Sequence, residues 1–292
     1  MSGVSSILAR HPHEAAGRGP TMRTAVVVKL GGGLITDKAQ MTTLRPNVLD
    51  RLAGEIATAV NAGVMVLVVH GAGSFGHLRA KAWDLANGRS DVKGDDGCAS
   101  QDEAVELVRA DMLTLSSHVV SALRDGGIDT STHPPHQWAT GDGPNFSGDL
   151  APLQPGATVP VTWGDVVPIA GPASFGILSG DDVVHRCAVE LPNITRVVFA
   201  MGGADGVLRR PPHEATDEDL ITEWQEDSAF EGHHAAEMDV TGGIGLKVER
   251  ARSIAQHGIE TLFVNGEVEG RLQAALMGQP VRGTRFPPAQ KG

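Results

Sequence analysis

Glycine-rich segments beside lysines are the parts of this sequence best suited to chemistry. Residues 31–33, 71–76 and 239–245 each contain three glycines. Without a Cβ, glycine lets backbone N–H groups approach phosphate oxygens closely. Three of the six lysines in the chain adjoin such segments: Lys29, Lys38 and Lys247. A compact ammonium group on a flexible stem suits a phosphoryl group in motion, so this pattern predicts phosphoryl transfer.

Two common nucleotide fingerprints do not explain these segments. No segment has the spacing G-x-x-x-x-G-K-[ST] of a P-loop. Residues 71–76 match the dinucleotide pattern G-x-G-x-x-G after a buried strand. A dinucleotide-binding unit would place a second strand with an acidic end about 20 residues further on. Residues 91–96 form a polar loop there instead, which disfavours NAD binding.

The elements that position these segments alternate between strands and helices. Residues 25–30 and 64–69 are short apolar runs typical of buried strands, and a glycine-rich loop follows each. Residues 46–62 carry apolar residues at helical spacing, and Gly63 ends that helix. This order predicts an α/β fold with a mainly parallel sheet and helices on both faces.

Further elements continue this alternation. They are a helix over residues 101–124, a hairpin or paired edge strands over 159–161 and 166–169, a helix from about 182 to 191, a strand over 196–200, a helix over 247–256 and a strand over 261–264. Residues 211–236 are polar and predict a lid or surface excursion. We expect a disordered tail over residues 1–22 and a single domain over 23–287, with lobes of about 23–170 and 171–287.

Composition narrows the class of protein. The chain has 292 residues, of which 41% are hydrophobic, and this suffices for one large α/β domain. A net charge of −11 argues against a nucleic-acid partner. No apolar run reaches membrane-spanning length, and two cysteines are too few for a disulfide framework. We therefore expect a cytoplasmic protein with a small-molecule partner.

Four segments together resemble the amino acid kinase superfamily. They are Lys29-Leu30-Gly31-Gly32-Gly33-Leu34-Ile35-Thr36-Asp37-Lys38, His70-Gly71-Ala72-Gly73-Ser74-Phe75-Gly76-His77, Leu178-Ser179-Gly180-Asp181-Asp182, and Asp239-Val240-Thr241-Gly242-Gly243 with Lys247. The Ile-Thr-Asp-Lys and Gly-Ser-Phe-Gly-His elements are similar to the isopentenyl phosphate kinase branch. This resemblance implies a three-layer αβα sandwich, usually a homodimer. It also implies transfer of phosphate from ATP, with Mg²⁺, to isopentenyl phosphate.

The resemblance assigns roles to individual residues. The residues that match nucleotide-binding positions are Lys29, Leu30, Gly31, Gly32, Gly33, Gly73, Gly243 and Lys247. Substrate binding falls on Ala72, His77 and Gly180, and the catalytic set is Lys29, Lys38, His77, Asp181 and Lys247. In this scheme Lys38 stabilises the transferred phosphoryl group, Asp181 holds the other lysines in place, and no residue is a metal ligand. The N-terminal lobe binds the acceptor and the C-terminal lobe binds the nucleotide.

The sequence departs from the family pattern in three places. Gly33 stands where serine is usual, and Ala72 stands where glycine is common. Residues 201–206 keep only the last two positions of the usual Thr-Asp-x-Asp-Gly, which lies close to the nucleotide. Two arginines at positions 209 and 210 offer replacement charge there.

Two alternative functions stay open. A phosphonate kinase of the fosfomycin-inactivating type shares the loop ending in Phe-Gly-His, so His77 does not separate the two activities. A non-catalytic nucleotide- or oxyanion-binding protein could use the same fold, but it would have no need of Lys38. Apolar side chains between residues 78 and 123 are expected to line the acceptor pocket. Four histidines are interpreted as surface residues: His185, His213, His233 and His234.

Overall fold

The computed structural model describes residues 24–37, 39–226, 228, 230 and 243–289. The predicted tail over residues 1–22 therefore lies outside the described residues, as do Lys38 and residues 239–242. His233 and His234 also lie outside them.

A sheet of seven strands forms the middle layer of the described structure. The strands of the described residues are β1 (Ala25–Leu30), β2 (Met65–His70), β3 (Thr130–Thr132), β4 (Ala139–Thr140), β5 (Ser147–Gly148), β6 (Val159–Trp163), β7 (Asp165–Pro168), β8 (Phe175–Leu178), β9 (Ile194–Met201), β10 (Glu260–Asn265) and β11 (Gly283–Phe286). The order in the large sheet is β11-β10-β9-β1-β2-β6-β3, and β4–β5 and β7–β8 form two small ladders. Every neighbouring pair in the large sheet is parallel except β10–β11.

Helices cover both faces of this sheet. They are α1 (Gly32–Ile35), α2 (Pro46–Asn61), α3 (His77–Ala82), α4 (Gln101–Asp125), α5 (Gly180–Glu190), α6 (Gly243–Gln256) and α7 (Arg271–Leu276). Side chains alternate between the two faces of a strand. In β1, Val26 and Val28 join the core that contains α2, α4 and α7, whereas Val27 joins the core that contains α5 and α6. The predicted α/β fold with a mainly parallel sheet between helical layers is confirmed.

The predicted hairpin over residues 159–169 is wrong. Strand β6 lies inside the large sheet between β2 and β3, and β7 pairs with β8. Pro160 had suggested an edge strand, because proline has no backbone N–H to donate. In the structure Pro160 is matched with Ser131 of β3 but with no residue of β2. Pairing between β2 and β6 begins only at Val161, so no bond between these strands is lost to the missing N–H.

Part of the predicted surface excursion also packs against the core. Ile221 and Trp224 are buried, and the Trp224 ring stacks on Phe286 of β11 with 5.2 Å between ring centroids. The backbone N–H of Trp224 donates to the backbone carbonyl of Arg285 at 2.8 Å. The sequence predicted neither β11 nor α7, which are short and lack a strong periodic pattern.

Candidate active site

A cavity of about 290 Å³ lies at the carboxyl ends of β1, β2, β6 and β9. The segments that leave these strands supply much of its lining, including residues 31–34, 71–72 and 164–166. Strand β1 is central, with β2 on one side and β9 on the other. Ligands of open α/β sheets bind at such an edge, where successive connections leave in opposite directions.

Two glycine loops touch each other backbone to backbone beneath this cavity. A Cβ on Gly32 would lie 2.2 Å from the backbone nitrogen of Gly73, and a Cβ on Gly71 would lie 2.6 Å from that of Gly32. Gly73 has a φ of +51°, which disfavours other residues. Thr36 fastens the loops, since its hydroxyl donates to the Gly32 carbonyl at 2.8 Å and accepts from the Ser74 N–H at 3.0 Å.

Asp181 lies at the centre of the charged wall of the site. Its carboxylate is fully buried and forms ion pairs with Lys29 and with Lys247, whose Nζ lies 3.3 Å from Oδ2. Lys29 extends from β1, Asp181 from the first turn of α5 and Lys247 from α6. Ser179 caps α5 and accepts a hydrogen bond from the Asp181 N–H at 3.2 Å, which fixes that turn. Three distant parts of the chain therefore meet at one carboxylate.

The charge of this cluster follows from the two lysines. Burial by itself raises the pKa of Asp181, but the Lys247 and Lys29 ammonium groups outweigh burial and hold that pKa below its usual value. Asp181 is therefore ionised at neutral pH. One negative and two positive charges give this cluster a net positive charge, which suits a polyphosphate ligand.

One end of the cavity combines a histidine with apolar side chains. His77 is the first residue of α3 and lines the cavity beside Ala72. The apolar lining comes from α3, α4, β7 and β8, with Ala80, Val108, Met112, Val166 and Ile177. The first three of these lie within the segment that the sequence predicted to line the acceptor pocket. This end can hold a small hydrocarbon group.

Helix α3 is held in place by charged contacts behind the cavity. Arg79 forms ion pairs with Asp111 of α4 and with Asp96, the latter at 2.7 Å. Trp83 also donates its indole N–H to Asp96 at 2.7 Å. These contacts fix the helix that carries His77.

The opposite end of the cavity contains the segment that departs from the family pattern. Met201, Gly202 and Ala204 line it, together with Arg210. Asp205 is not part of the lining. It accepts instead from Arg271 and Arg282, both at 2.5 Å, and from Asn265 at 3.2 Å, so it ties this turn to β10 and to the segments around α7 and β11. Arg210 lines the cavity and also pairs with Asp219 at 2.7 Å, in keeping with the charge expected there.

Most predicted site residues come together at this cavity. Those in its lining are Lys29, Gly31, Gly32, Gly33, Ala72, His77, Gly180 and Lys247. Four others lie behind the lining: Asp181 is buried against Lys29 and Lys247, Leu30 is buried in the core, Gly73 packs under Gly32, and Gly243 begins α6, where its carbonyl accepts from the Lys247 ammonium at 3.3 Å. Lys38 lies outside the described residues, so its role stays a prediction.

Sequence reasoning missed the contribution of β6 and its neighbours. A Cβ on Gly164 would lie 2.6 Å from the backbone nitrogen of Gly180, so this glycine lets the loop after β6 touch the start of α5. The sequence feature that could have revealed this contribution is a glycine directly after a buried strand. His70 was also passed over. It is fully buried and stacks on Trp163 with 5.3 Å between ring centroids, and burial lowers its pKa to about 4, which keeps it neutral.

The interpretation of His185 as a surface residue is wrong. This histidine is half-buried, and its Nε2 lies 2.9 Å from the Ser253 hydroxyl of α6. His213 is exposed, as expected. Pro212 and Glu214 on either side of His213 are exposed too, whereas His185 lies on the face of α5 that meets α6.

Two further properties concern only the part of the chain that the structure describes. Within it, no three His, Cys, Asp or Glu side chains form a group that could hold a metal ion. Nor does any helix there have the length and apolar character needed to cross a membrane.

Comparison with known proteins places this geometry among kinases. Residues 24–265 match the model of the amino acid kinase family. The isopentenyl phosphate kinase of Methanothermobacter thermautotrophicus is 30% identical over 270 residues, which are 89% of this chain and 98% of that protein.

Solved structures give the same picture. X-ray structures of isopentenyl phosphate kinase include a chain with a TM-score of 0.73 and 27% identity, covering 89% of this chain and 99% of that one. The T. acidophilum isopentenyl phosphate kinase product complex has a TM-score of 0.71 and 26% identity, covering 90% of this chain and 100% of that one.

Proposed function

Because this chain belongs to the amino acid kinase family, we propose that it transfers the γ-phosphoryl group of ATP to isopentenyl phosphate. The resemblance drawn from the sequence is confirmed by the family match and by the isopentenyl phosphate kinases among its relatives. One observation carries the choice of acceptor. The cavity places the apolar side chains around Met112 and Ile177 at one end, and Lys29, Lys247 and the glycine loops elsewhere on its wall. Such a site suits a hydrocarbon monophosphate.

The proposed reaction makes one bond and breaks one. An oxygen of the acceptor phosphate bonds to the γ-phosphorus, and the bond from that phosphorus to the oxygen of ADP breaks. The acceptor oxygen is already anionic, so the site needs no general base. Lys29 and Lys247 offset the repulsion between the two anions, Asp181 fixes these lysines, and His77 donates a hydrogen bond to the acceptor phosphate.

Magnesium fits this site as a companion of ATP and not as a metal held by protein ligands. Asp181 is buried and engaged by two lysines, and the carboxylate of Asp165, a residue that does line the cavity, lies 2.7 Å from Nδ1 of His136. Mg²⁺ in kinase sites is commonly held by substrate phosphates and water with few protein ligands. When bound, it would neutralise charge on the ATP phosphates.

The proposal also covers the roles of the two lobes, the oligomeric state and the cellular location. In this proposal the lobe of about 23–170 binds the acceptor, with Ile177 added from the other lobe, and the lobe of about 171–287 binds the nucleotide together with the glycine loops after β1 and β2. We also propose a homodimer, which the family resemblance implies and which light scattering tests. The cysteines Cys98 and Cys187 are free thiols, in keeping with a cytoplasmic location, to be tested by cell fractionation.

An acceptor panel tests the proposed function directly. Purified protein with Mg-ATP is expected to release ADP fastest with isopentenyl phosphate, because that acceptor fills the apolar end of the cavity. The panel includes dimethylallyl phosphate, fosfomycin and free amino acids, with ADP measured by a coupled assay. Preference for fosfomycin would establish the phosphonate kinase instead. Nucleotide binding without ADP release from any acceptor would favour the non-catalytic alternative.

Lys38→Ala is expected to lower kcat far more than it weakens ATP binding. The family resemblance assigns Lys38 to the transferred phosphoryl group, and loss of one transition-state contact costs about 3 kcal/mol, or roughly a hundredfold in rate. Steady-state kinetics with both substrates measure this effect, and Lys81→Ala serves as a control outside the cavity lining. An unchanged kcat with a raised KM for ATP would assign Lys38 to ground-state nucleotide binding.

His77→Ala is expected to raise KM for the acceptor and to lower kcat, while ATP affinity stays nearly constant. The reason is that His77 lies at the apolar end of the cavity on α3. His77→Asn keeps a neutral donor and should retain part of the activity, because no proton has to be removed. Equal losses for both substrates, together with a lower melting temperature, would instead make His77 a structural residue.

A further inference from the structure

Helices α5 and α6 are joined by a row of polar contacts that starts at the site and leads away from it. Asp181 meets Lys247 at 3.3 Å, Asp182 meets Nε of Arg250 at 2.5 Å, and the His185 ring meets the Ser253 hydroxyl at 2.9 Å. The partners on α6 are spaced three residues apart, so they lie on one face of that helix. The contacts advance in the same direction along both helices.

Among these contacts, the pair of Asp182 and Arg250 is the buried ion pair outside the cavity. The side chains are 5% and 10% exposed, and neither residue lines the cavity. Removing one partner of a buried ion pair leaves an uncompensated charge, so the two side chains hold each other firmly. The pair directly follows Asp181 on α5 and lies one turn after Lys247 on α6.

Apolar side chains of both helices belong to the same core cluster, among them Val184, Ala188, Val248 and Ala251. Apolar burial is non-directional, whereas a hydrogen-bonded ion pair tolerates little displacement. A slide of α6 along α5 would be resisted chiefly by the polar row. Since a lysine stem is flexible, the place that the Lys247 ammonium reaches depends on where α6 holds its backbone.

We propose that Asp182 and Arg250 are positioning residues for phosphoryl transfer, because their ion pair fixes α6 on α5 and so places Lys247 beside Asp181. This inference rests on the proposed kinase function. Arg250 does not line the cavity in which the substrates are proposed to bind. Its effect on the reaction passes entirely through Lys247.

A double-mutant cycle of Arg250→Met and Lys247→Ala separates positioning from general stability. In the otherwise unchanged protein, Arg250→Met is expected to lower kcat about 10- to 100-fold, as misplacement of a catalytic group does. In the Lys247→Ala background the same change should lower the residual kcat less than about twofold, because the group to be positioned is gone. The proposal would be overturned if Arg250→Met lowered kcat by the same factor with Lys247 present and with Lys247→Ala. An unchanged kcat in a folded Arg250→Met protein would also overturn it.

Arg186→Met is the matched control for this cycle. Arg186 also forms an ion pair from α5, with Glu190 of the same helix at 2.6 Å, and it donates to the Phe146 carbonyl at 2.6 Å, so these contacts do not involve α6. Its kcat should stay within about twofold of the unchanged protein. Should Arg250→Met fail to fold, Arg250→Lys takes its place. This variant keeps the charge but not the planar fork, and its expected loss of about three- to tenfold in kcat must likewise vanish in the Lys247→Ala background.

Affinity for Mg-ATP distinguishes failure of this inference from failure of the proposed function. Calorimetric titration needs no acceptor, so the cycle can be read even if isopentenyl phosphate proves not to be the substrate. Arg250→Met should weaken Mg-ATP binding several-fold when Lys247 is present and leave it unchanged when Lys247 is alanine. Weakening by the same factor in both backgrounds would reject the positioning role whatever the acceptor is.

Discussion

Asp181→Asn is expected to lower kcat about a thousandfold and to destabilise the protein. The carboxylate is fully buried between Lys29 and Lys247, and its charge is what holds two like charges close together. An amide keeps the shape but leaves a buried ammonium group uncompensated. Loss of one partner of a buried ion pair costs about 3–5 kcal/mol of folding free energy. The effect on the rate is separate. Displacement of two lysines from the phosphoryl group should raise the activation free energy by at least about 3–4 kcal/mol, the loss typical of one transition-state contact.

Steady-state kinetics and urea unfolding measure the two effects separately. Glu190→Gln is the control on the same helix, since Glu190 pairs with Arg186 near the surface and far from the lysines. It should change both quantities little, because ion pairs with one exposed partner contribute about 0–1 kcal/mol. A folded Asp181→Asn protein with nearly full kcat would contradict the role given to this residue.

Gly32→Ala is expected to lower kcat/KM for ATP by at least about a hundredfold, a loss of about 2.7 kcal/mol. The added Cβ would lie 2.2 Å from the backbone nitrogen and 2.7 Å from the Cα of Gly73, and backbone atoms have no rotamer by which to move away. The two glycine loops would have to separate. The N–H groups that are proposed to face the phosphates would then be displaced.

Gly54→Ala is the matched control for this glycine. Gly54 lies on the exposed side of α2, and nothing lies within 4 Å of a Cβ added there. The same substitution should leave kinetics unchanged and stabilise the protein by about 0.4–1 kcal/mol, because alanine restricts the unfolded chain and favours a helix. Kinetics for ATP beside a melting curve compare the two variants. Full activity in Gly32→Ala would show that the loops need not touch.

The pattern of strands followed by glycine loops was predictable because it is local. A run such as residues 25–30 and the glycines that follow it encode a buried strand and a tight turn within about ten residues. Lys29, Asp181 and Lys247 could also be predicted to be site residues, because the order of motifs along the chain resembles that of the amino acid kinase superfamily. What could not be predicted is anything that depends on which strands are neighbours. The wrong hairpin over residues 159–169 shows this, since proline marks a missing donor but not the strand that would have needed it.

The sequence by itself therefore determined the α/β class, the glycine loops that follow its strands and the residues that carry charge. The tertiary structure alone decided that Asp181 receives lysines from β1 and α6, and that Val166 and Ile177 complete an apolar end beside Met112. It also decided that Asp182 joins Arg250 across two helices. The physical reason is that short-range propensity fixes each element, whereas contacts between residues far apart in sequence arise only once the strand order brings the elements together.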